Sequence, residues 1–358
     1  MTIEATGRRD ASTASEAIRR PRVGTALPVL ALLTLAILVV AVAIGPVTIP
    51  LRDTLEILLA RLGVGEVSES LATHARIVGD LRLPRAIAAG LVGMALAVSG
   101  GVMQGIFRNP LASPYLLGVA SGASAGAALV IVLGLYGDFG GAALPLGSFV
   151  GGALAVVTVY QLAARRGASA TTLILAGVAL SALFSAFTSF LVVLSGRQMA
   201  EIVFWIMGGL GRARWEHLVW LLPVVLISST VVWAFSRDLN ALALGDEGAR
   251  HLGISPERIK RGLLIAITVL TGAAVASAGT IGFVGLITPH ALRLIVGPDH
   301  RILLPASAFG GAIFLIVADT AARTAMAPME LPVGILTAGV GAPFFLYLLL
   351  SRRGGEMG

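Results

Sequence analysis

Residues 86–107 read Ala-Ile-Ala-Ala-Gly-Leu-Val-Gly-Met-Ala-Leu-Ala-Val-Ser-Gly-Gly-Val-Met-Gln-Gly-Ile-Phe, a run of 22 residues without one charged side chain. An α-helix rises about 1.5 Å per residue, so this run is long enough for a hydrocarbon core about 30 Å thick. Arg85 and Arg108 bracket it and give it two polar ends. The glycines inside it would weaken a helix in water. In lipid, small residues let neighbouring helices approach closely. The run reads as a membrane span.

Working outward, the pattern recurs. Apolar runs lie near 24–46, 86–107, 115–136, 142–164, 172–194, 218–235, 262–278, 283–296, 303–325 and 331–350, ten in all. Hydrophobic residues make up 56% of the 358 and charged residues 13%, about half the charge of an average soluble protein. A water-soluble fold could not cover that apolar surface. The expected architecture is all-α and polytopic, with about ten transmembrane helices over 24–352 and polar tails at 1–23 and 353–358. The first run is too long for the apolar core of a cleaved signal and reads as a retained span. The eighth is short and carries Pro289, so it is expected to be broken and covered by protein or by a water-filled path.

The net charge is +7, and all but one of the 26 basic residues are Arg, Lys260 being the exception. They stand between apolar runs, which is a topology signal rather than a nucleic-acid-binding face. With the N-terminus inside, 17 of the 26 fall on the cytoplasmic side. An even number of spans then places both termini in the cytoplasm, with the chain in the cell (inner) membrane. Two connections are too long to be turns. Residues 47–85, outside, carry Leu55, Leu58, Leu59 and Leu62 at the spacing of an amphipathic surface helix. Residues 236–261, inside, read as two short helical stretches broken at Gly245 and closed by Gly253 and Pro256.

Several chemistries are excluded. There is no Cys, hence no disulfide or thiolate centre. No Gly-x-x-x-x-Gly-Lys-Ser/Thr loop is present, so ATP hydrolysis by that route is not expected on this chain. The five His are not paired at helical metal-ligand spacing, and no nucleophile elbow occurs. No catalytic group, cofactor or metal site is expected. Asp319 and Arg323 stand four apart on one helix face, where they can pair. The unpaired mid-span acids of an ion-coupled carrier are missing, which speaks against that alternative.

A set of motifs then occurs in order. It comprises Arg82-Leu-Pro-Arg85, Ser99-Gly-Gly-Val-Met-Gln104, Arg108-Asn-Pro-Leu-Ala-Ser-Pro114, Leu175-Ala-Gly-Val178 and Trp205-Ile-Met-Gly-Gly-Leu210. Ala243-Leu-Gly-Asp-Glu-Gly-Ala-Arg-His-Leu-Gly253, Gly282-Phe-Val-Gly-Leu-Ile-Thr-Pro-His290, Gly297-Pro-Asp-His-Arg301, Ala318-Asp319 and Glu330-Leu-Pro-Val-Gly334 follow. From about residue 27 to 352 the chain resembles the FecCD family of ABC-importer permeases, which serve iron–siderophores, haem and cobalamin. The resemblance implies a ten-helix subunit with an inverted pseudo-repeat, and a homodimer whose translocation path lies between the copies. It also implies a pair of ATP-binding subunits on the cytoplasmic loops and a substrate-binding protein on the outer side.

Carried over residue by residue, the resemblance makes Arg82, Arg85 and Arg323 docking contacts for carboxylates of the binding protein. It makes Asn109, Leu111, Ala170 and Thr171 the cytoplasmic gate, with Ala170 departing from the hydroxyl residue of the cobalamin importer. The loop containing Leu242, Leu244, Gly245, Asp246, Glu247, Arg250, Leu252 and Gly253 becomes the coupling element for the ATPase. The expected function is inward movement of an iron chelate by ATP-driven alternating access, or of cobalamin by the same machinery. The chain itself is not expected to be an enzyme.

Overall fold

The computed structural model describes residues 23–135, 140–165 and 169–351. The C-terminal tail and, but for Val23, the N-terminal tail lie outside the described residues. Regular structure in the described residues is entirely helical. In chain order the α-helices are α1 (Val23–Ala43), α2 (Leu51–Arg61), α3 (Ala72–Arg76), α4 (Leu83–Phe107), α5 (Val119–Val132), α6 (Ala143–Ala164), α7 (Ala170–Leu194) and α8 (Met199–Ile206). They continue as α9 (Trp215–Ala234), α10 (Ser236–Leu242), α11 (Asp246–His251), α12 (Pro256–Ala278), α13 (Val284–Val296), α14 (His300–Thr324) and α15 (Val333–Ser351). Among the described residues seven helices are long and apolar enough to cross a bilayer, and three shorter apolar helices, α5, α13 and α15, take the remaining apolar runs. The protein is a multi-pass membrane protein.

Helix α4 is the hub. It packs against α9, α12, α13 and α14, and almost its whole surface is buried. The glycines of the run that opened the sequence reading make this possible. A Cβ on Gly93 would land on the Gly311 carbonyl of α14, and one on Gly100 would land on the Gly285 carbonyl of α13. Only backbone against backbone fits there. By contrast, α1 lies against α14 and turns Leu32 and Leu35 outward, as a lipid-facing helix does.

Two local expectations are corrected. The outer connection 47–85 is not a loop throughout. After α2, which is a surface helix as its leucine spacing predicts, residues 69–107 form one helical run through a π-turn at Ile77–Arg82. The π-turn inserts where Val78, Gly79 and Arg82 are buried, and Pro84 sits in the first turn of α4, where its missing N–H costs nothing. Second, Pro289 does not break the eighth span, because α13 continues through it. The carbonyl that Pro289 deprives of a helical donor belongs to Gly285, which faces Gly100 across the α4 contact.

Candidate functional site

The alternation of spans gives the bundle two ends. At one end the last turn of α1, the start of α4, the start of α9 and the end of α14 meet. Here Arg82 Nη1 donates to the carbonyls of Ala43 (2.7 Å) and Val42 (3.2 Å), and Nη2 donates to Val47. Arg323 Nη2 donates to the carbonyl of Ala41. Two guanidinium groups thus satisfy the orphan carbonyls at the C-terminus of α1, the end of a helix that favours positive charge. Arg82 and Arg323 are only 6% and 4% exposed, so their partners lie within the chain.

Arg85 is placed differently. Its Nε and Nη2 clamp Asp319 at 3.0–3.1 Å, while Nη1 donates to Glu330 at 2.8 Å. Asp319 is buried and Glu330 is half-exposed. The expected i,i+4 pair of Asp319 with Arg323 is present at 3.8 Å, longer than the contact with Arg85. Beside this cluster, Trp215 donates its indole N–H to the Gly79 carbonyl, and Arg61 pairs with Asp80 at 2.5 Å.

The opposite end carries the long connection. Helices α10 and α11 are separated at Gly245, whose φ is +98°, and α11 is closed at Gly253, φ +78°. These are left-handed conformations that glycine adopts without a Cβ penalty. Two ion pairs tie the unit to the first turns of α12: Lys260 to Asp246 at 2.7 Å and Arg250 to Glu257 at 2.5 Å. The leucines divide. Leu239 and Leu242 are buried in the chain's own core, whereas Leu244 and Leu252 are 69% and 61% exposed. Glu247 is exposed beside them.

Asn240 of α10 was not singled out by sequence reasoning. Its Nδ2 donates to Asp299 at 2.7 Å, and its Oδ1 accepts from the His300 backbone N–H at 2.9 Å and lies 2.7 Å from His300 Nδ1. It pins the connection to the start of α14. Asp299 caps that helix by accepting from the Arg301 N–H at 3.0 Å. The hydrogen bonds from the Arg301 side chain, and then from Asn240, hold the Asp299 carboxyl well below the usual carboxylate range. A signal existed for the Asp299 half alone, an N-cap residue directly before an apolar helix.

The expected gate residues occupy two places. Asn109 Oδ1 accepts from the Leu111 N–H at 2.9 Å in the turn after α4, where Arg108 has φ +47°. Leu111 borders a small crevice with Leu286, Ile287, His290 and Phe344. Ala170 and Thr171 are exposed on the first turn of α7, which Ser169 caps by accepting from the Thr172 N–H. Among the described residues no group of His, Asp and Glu is arranged to hold a metal ion.

Among the described residues ten apolar helices form a bundle with buried arginines at one end and short broken helices at the other. The model of the FecCD transport family matches residues 32–351, and the chain belongs to that family. It is 45% identical over 354 residues to the cobalamin import system permease protein BtuC of Halobacterium salinarum, a match spanning 90% of this chain and 94% of that one. It is 44% identical over 284 residues to the hemin transport system permease protein HmuU of Yersinia pestis, spanning 76% and 83% of the two. A solved structure of a metal-chelate type ABC transporter in an inward-facing conformation superposes with a TM-score of 0.79 at 33% identity, covering 92% of this chain and 99% of that one. The chain is the permease subunit of an ABC importer.

Proposed function

We propose that this permease moves an iron chelate, a ferric siderophore or haem, into the cytoplasm by ATP-driven alternating access. The observation that carries the mechanism is the α10–Gly245–α11 unit with its two exposed leucines. Leu244 and Leu252 are the apolar contacts offered to a cleft of the ATP-binding subunit, and Glu247 and Arg250 flank them. A pair of such subunits binds this end, which is cytoplasmic, with both termini of the chain on the same side of the cell membrane. A second copy of the chain completes the central path.

The binding protein docks at the other end. Arg85 is the contact: its buried partner Asp319 stays in place, and a carboxylate of the incoming protein replaces the half-exposed Glu330. Arg82 and Arg323 belong to the same docking site through their hold on α1. Asn109, Leu111, Ala170 and Thr171 form the cytoplasmic gate, moved by the adjoining coupling unit.

Cobalamin is the second reading, favoured by the 45% identity to a cobalamin permease. The test is equilibrium binding of haem, ferric siderophores and cobalamin to the partner binding protein, followed by uptake of the tightest ligand into vesicles holding the whole complex. Tight binding of cobalamin alone would overturn the iron-chelate reading and leave the importer reading intact.

A further inference from the structure

Helix α2 has 11 residues, and Arg52, Asp53, Glu56 and Arg61 among them are charged. It is too short and too polar to span a bilayer. At about 100° per residue its side chains divide into three sectors. Thr54 and Ile57 form the buried sector, and Ile57 belongs to one apolar cluster with Val42 of α1, Val78 of the π-turn and Ala86 of α4. Arg61 closes that side by pairing with Asp80 and lying 5.9 Å from the centre of the Trp215 ring. Arg52, Asp53 and Glu56 form a polar sector. Leu51, Leu55 and Leu59 form the third, with Leu62 in register at the helix end, and these leucines are 42–80% exposed. The turn at Gly63, φ +84°, lets the Val64 N–H donate to the Leu59 carbonyl at 2.9 Å and adds Val64, also exposed, to the same end.

A contiguous exposed apolar face marks a protein or membrane contact, and the neighbouring helix shows which. α1 is long and apolar enough to span, and Val29, Leu33, Val40 and Ile44 recur on one exposed face of it at intervals of four and seven. That lipid-facing surface runs on into α2. Val40, Ile44 and Leu51 border one crevice of about 300 Å³, with Thr48 between them. Val40 lies one turn inside the end of the span, so the leucine face of α2 begins where α1 is still in contact with lipid.

We propose that α2 lies in the interfacial layer of the bilayer at the Arg82 end of the bundle, with Leu51, Leu55, Leu59, Leu62 and Val64 set into the lipid. The buried sector faces the bundle, the leucine sector faces acyl chains and the polar sector faces water, which is the environment of an amphipathic helix lying in a membrane surface. Arg52 stands at the border of the leucine and polar sectors, where its stem crosses apolar surface and its guanidinium reaches the lipid phosphates. The placement bears on the arginine cluster. Arg82 grips the carbonyls of Val42, Ala43 and Val47 at the elbow between α1 and α2, and a Cβ on Gly45 would strike its guanidinium. A lipid-held α2 therefore fixes one flank of the segment that Arg82 organises. A soluble protein docking on the leucine face would have to cover a surface continuous with the lipid-facing side of α1, so the bilayer is the partner. The proposal rests on α1 being a span and not on the transported substrate or on the ATP-binding subunit.

Nitroxide labels on Leu55→Cys, Leu59→Cys and Leu62→Cys, one at a time in the full chain, test it in vesicles of phosphatidylcholine and phosphatidylglycerol. The chain has no native Cys, so each variant carries one label. The three leucines are exposed, so the variants should elute from gel filtration as the parent does. Collision of the label with oxygen, which concentrates in lipid, is compared with collision with a nickel chelate, which stays in water. All three positions should favour oxygen and report a depth of about 5–10 Å below the membrane surface. Labels on Glu56→Cys, in the polar sector, and on Glu69→Cys, beyond the helix, should favour the chelate. Chelate access at positions 55, 59 and 62 equal to that at position 69 would overturn the interfacial placement. Chelate access there that falls only when the binding protein is added would give the face to that protein, and dipolar broadening between labels on two copies would give it to a second copy. Either result would overturn the proposal.

Discussion

Asp319 is a buried acidic residue in a membrane helix, and Arg85, at 3.0 Å, is its closest ionic partner. Removing one member of a buried pair strands the other and costs about 3–5 kcal/mol. Asp319→Asn should therefore lower the thermal unfolding midpoint in detergent markedly. Glu330→Gln removes a half-exposed partner, worth about 0.2–1 kcal/mol, and should leave the midpoint nearly unchanged. Equal losses in the two variants would contradict the division of labour around Arg85. The same calorimetric comparison reaches the other end. Asn240→Ala removes three contacts with Asp299 and His300 and should destabilise by about 1–3 kcal/mol. The sequence displayed Asp319 and Arg323 as neighbours on one helix face. It could not display Arg85 as the closer partner, because 234 residues separate Arg85 from Asp319 and only the α4–α14 contact joins them. The carbonyl contacts of Arg82 and Arg323 were hidden for the same reason, since a backbone acceptor leaves no residue-type signal.

At the scale of elements, hydrophobic runs placed the helices well, because a span in lipid must satisfy its backbone internally and so has a length fixed by the bilayer. Reading failed where glycine and proline act in pairs across a contact. Pro289 looked like a break, yet the helix continues through it, and the Gly285 carbonyl it frees faces Gly100. A side chain at that crossing must push α4 and α13 apart. Gly100→Val should cost at least about 1–3 kcal/mol and lower the yield of folded protein on gel filtration. Gly248, mid-helix in α11, is a milder site. Sidedness is testable on the same elements. The chain has no native Cys, so single cysteines report cleanly. Ser169→Cys and Glu247→Cys should react only with reagents admitted to the cytoplasm, and Glu69→Cys should react from outside. Labelling of position 247 from outside would contradict the orientation. The α10–α11 connection was the most legible in its backbone, since Gly245 and Gly253 break and close the short helices where the sequence places them. Which leucines face inward was not legible, because a helix of six or seven residues is too short for its period to define a face.

For the whole molecule, the claim is that ATP hydrolysis on a partner drives this bundle through the α10–α11 unit. Each leucine is worth about 1.5–3 kcal/mol when fully buried, so replacing both exposed ones should weaken ATPase association at least about tenfold. Neither takes part in the chain's own core, so folding should survive. The most direct measurement is uptake of labelled chelate into vesicles containing this chain, its ATPase and its binding protein, comparing the parent with the Leu244→Ser/Leu252→Ser double variant. The account predicts uptake by the parent only when ATP and the loaded binding protein are both present. The double variant, still folded and inserted, should take up almost none. Uptake by the double variant at the parental rate, or uptake by the parent without ATP, would contradict it.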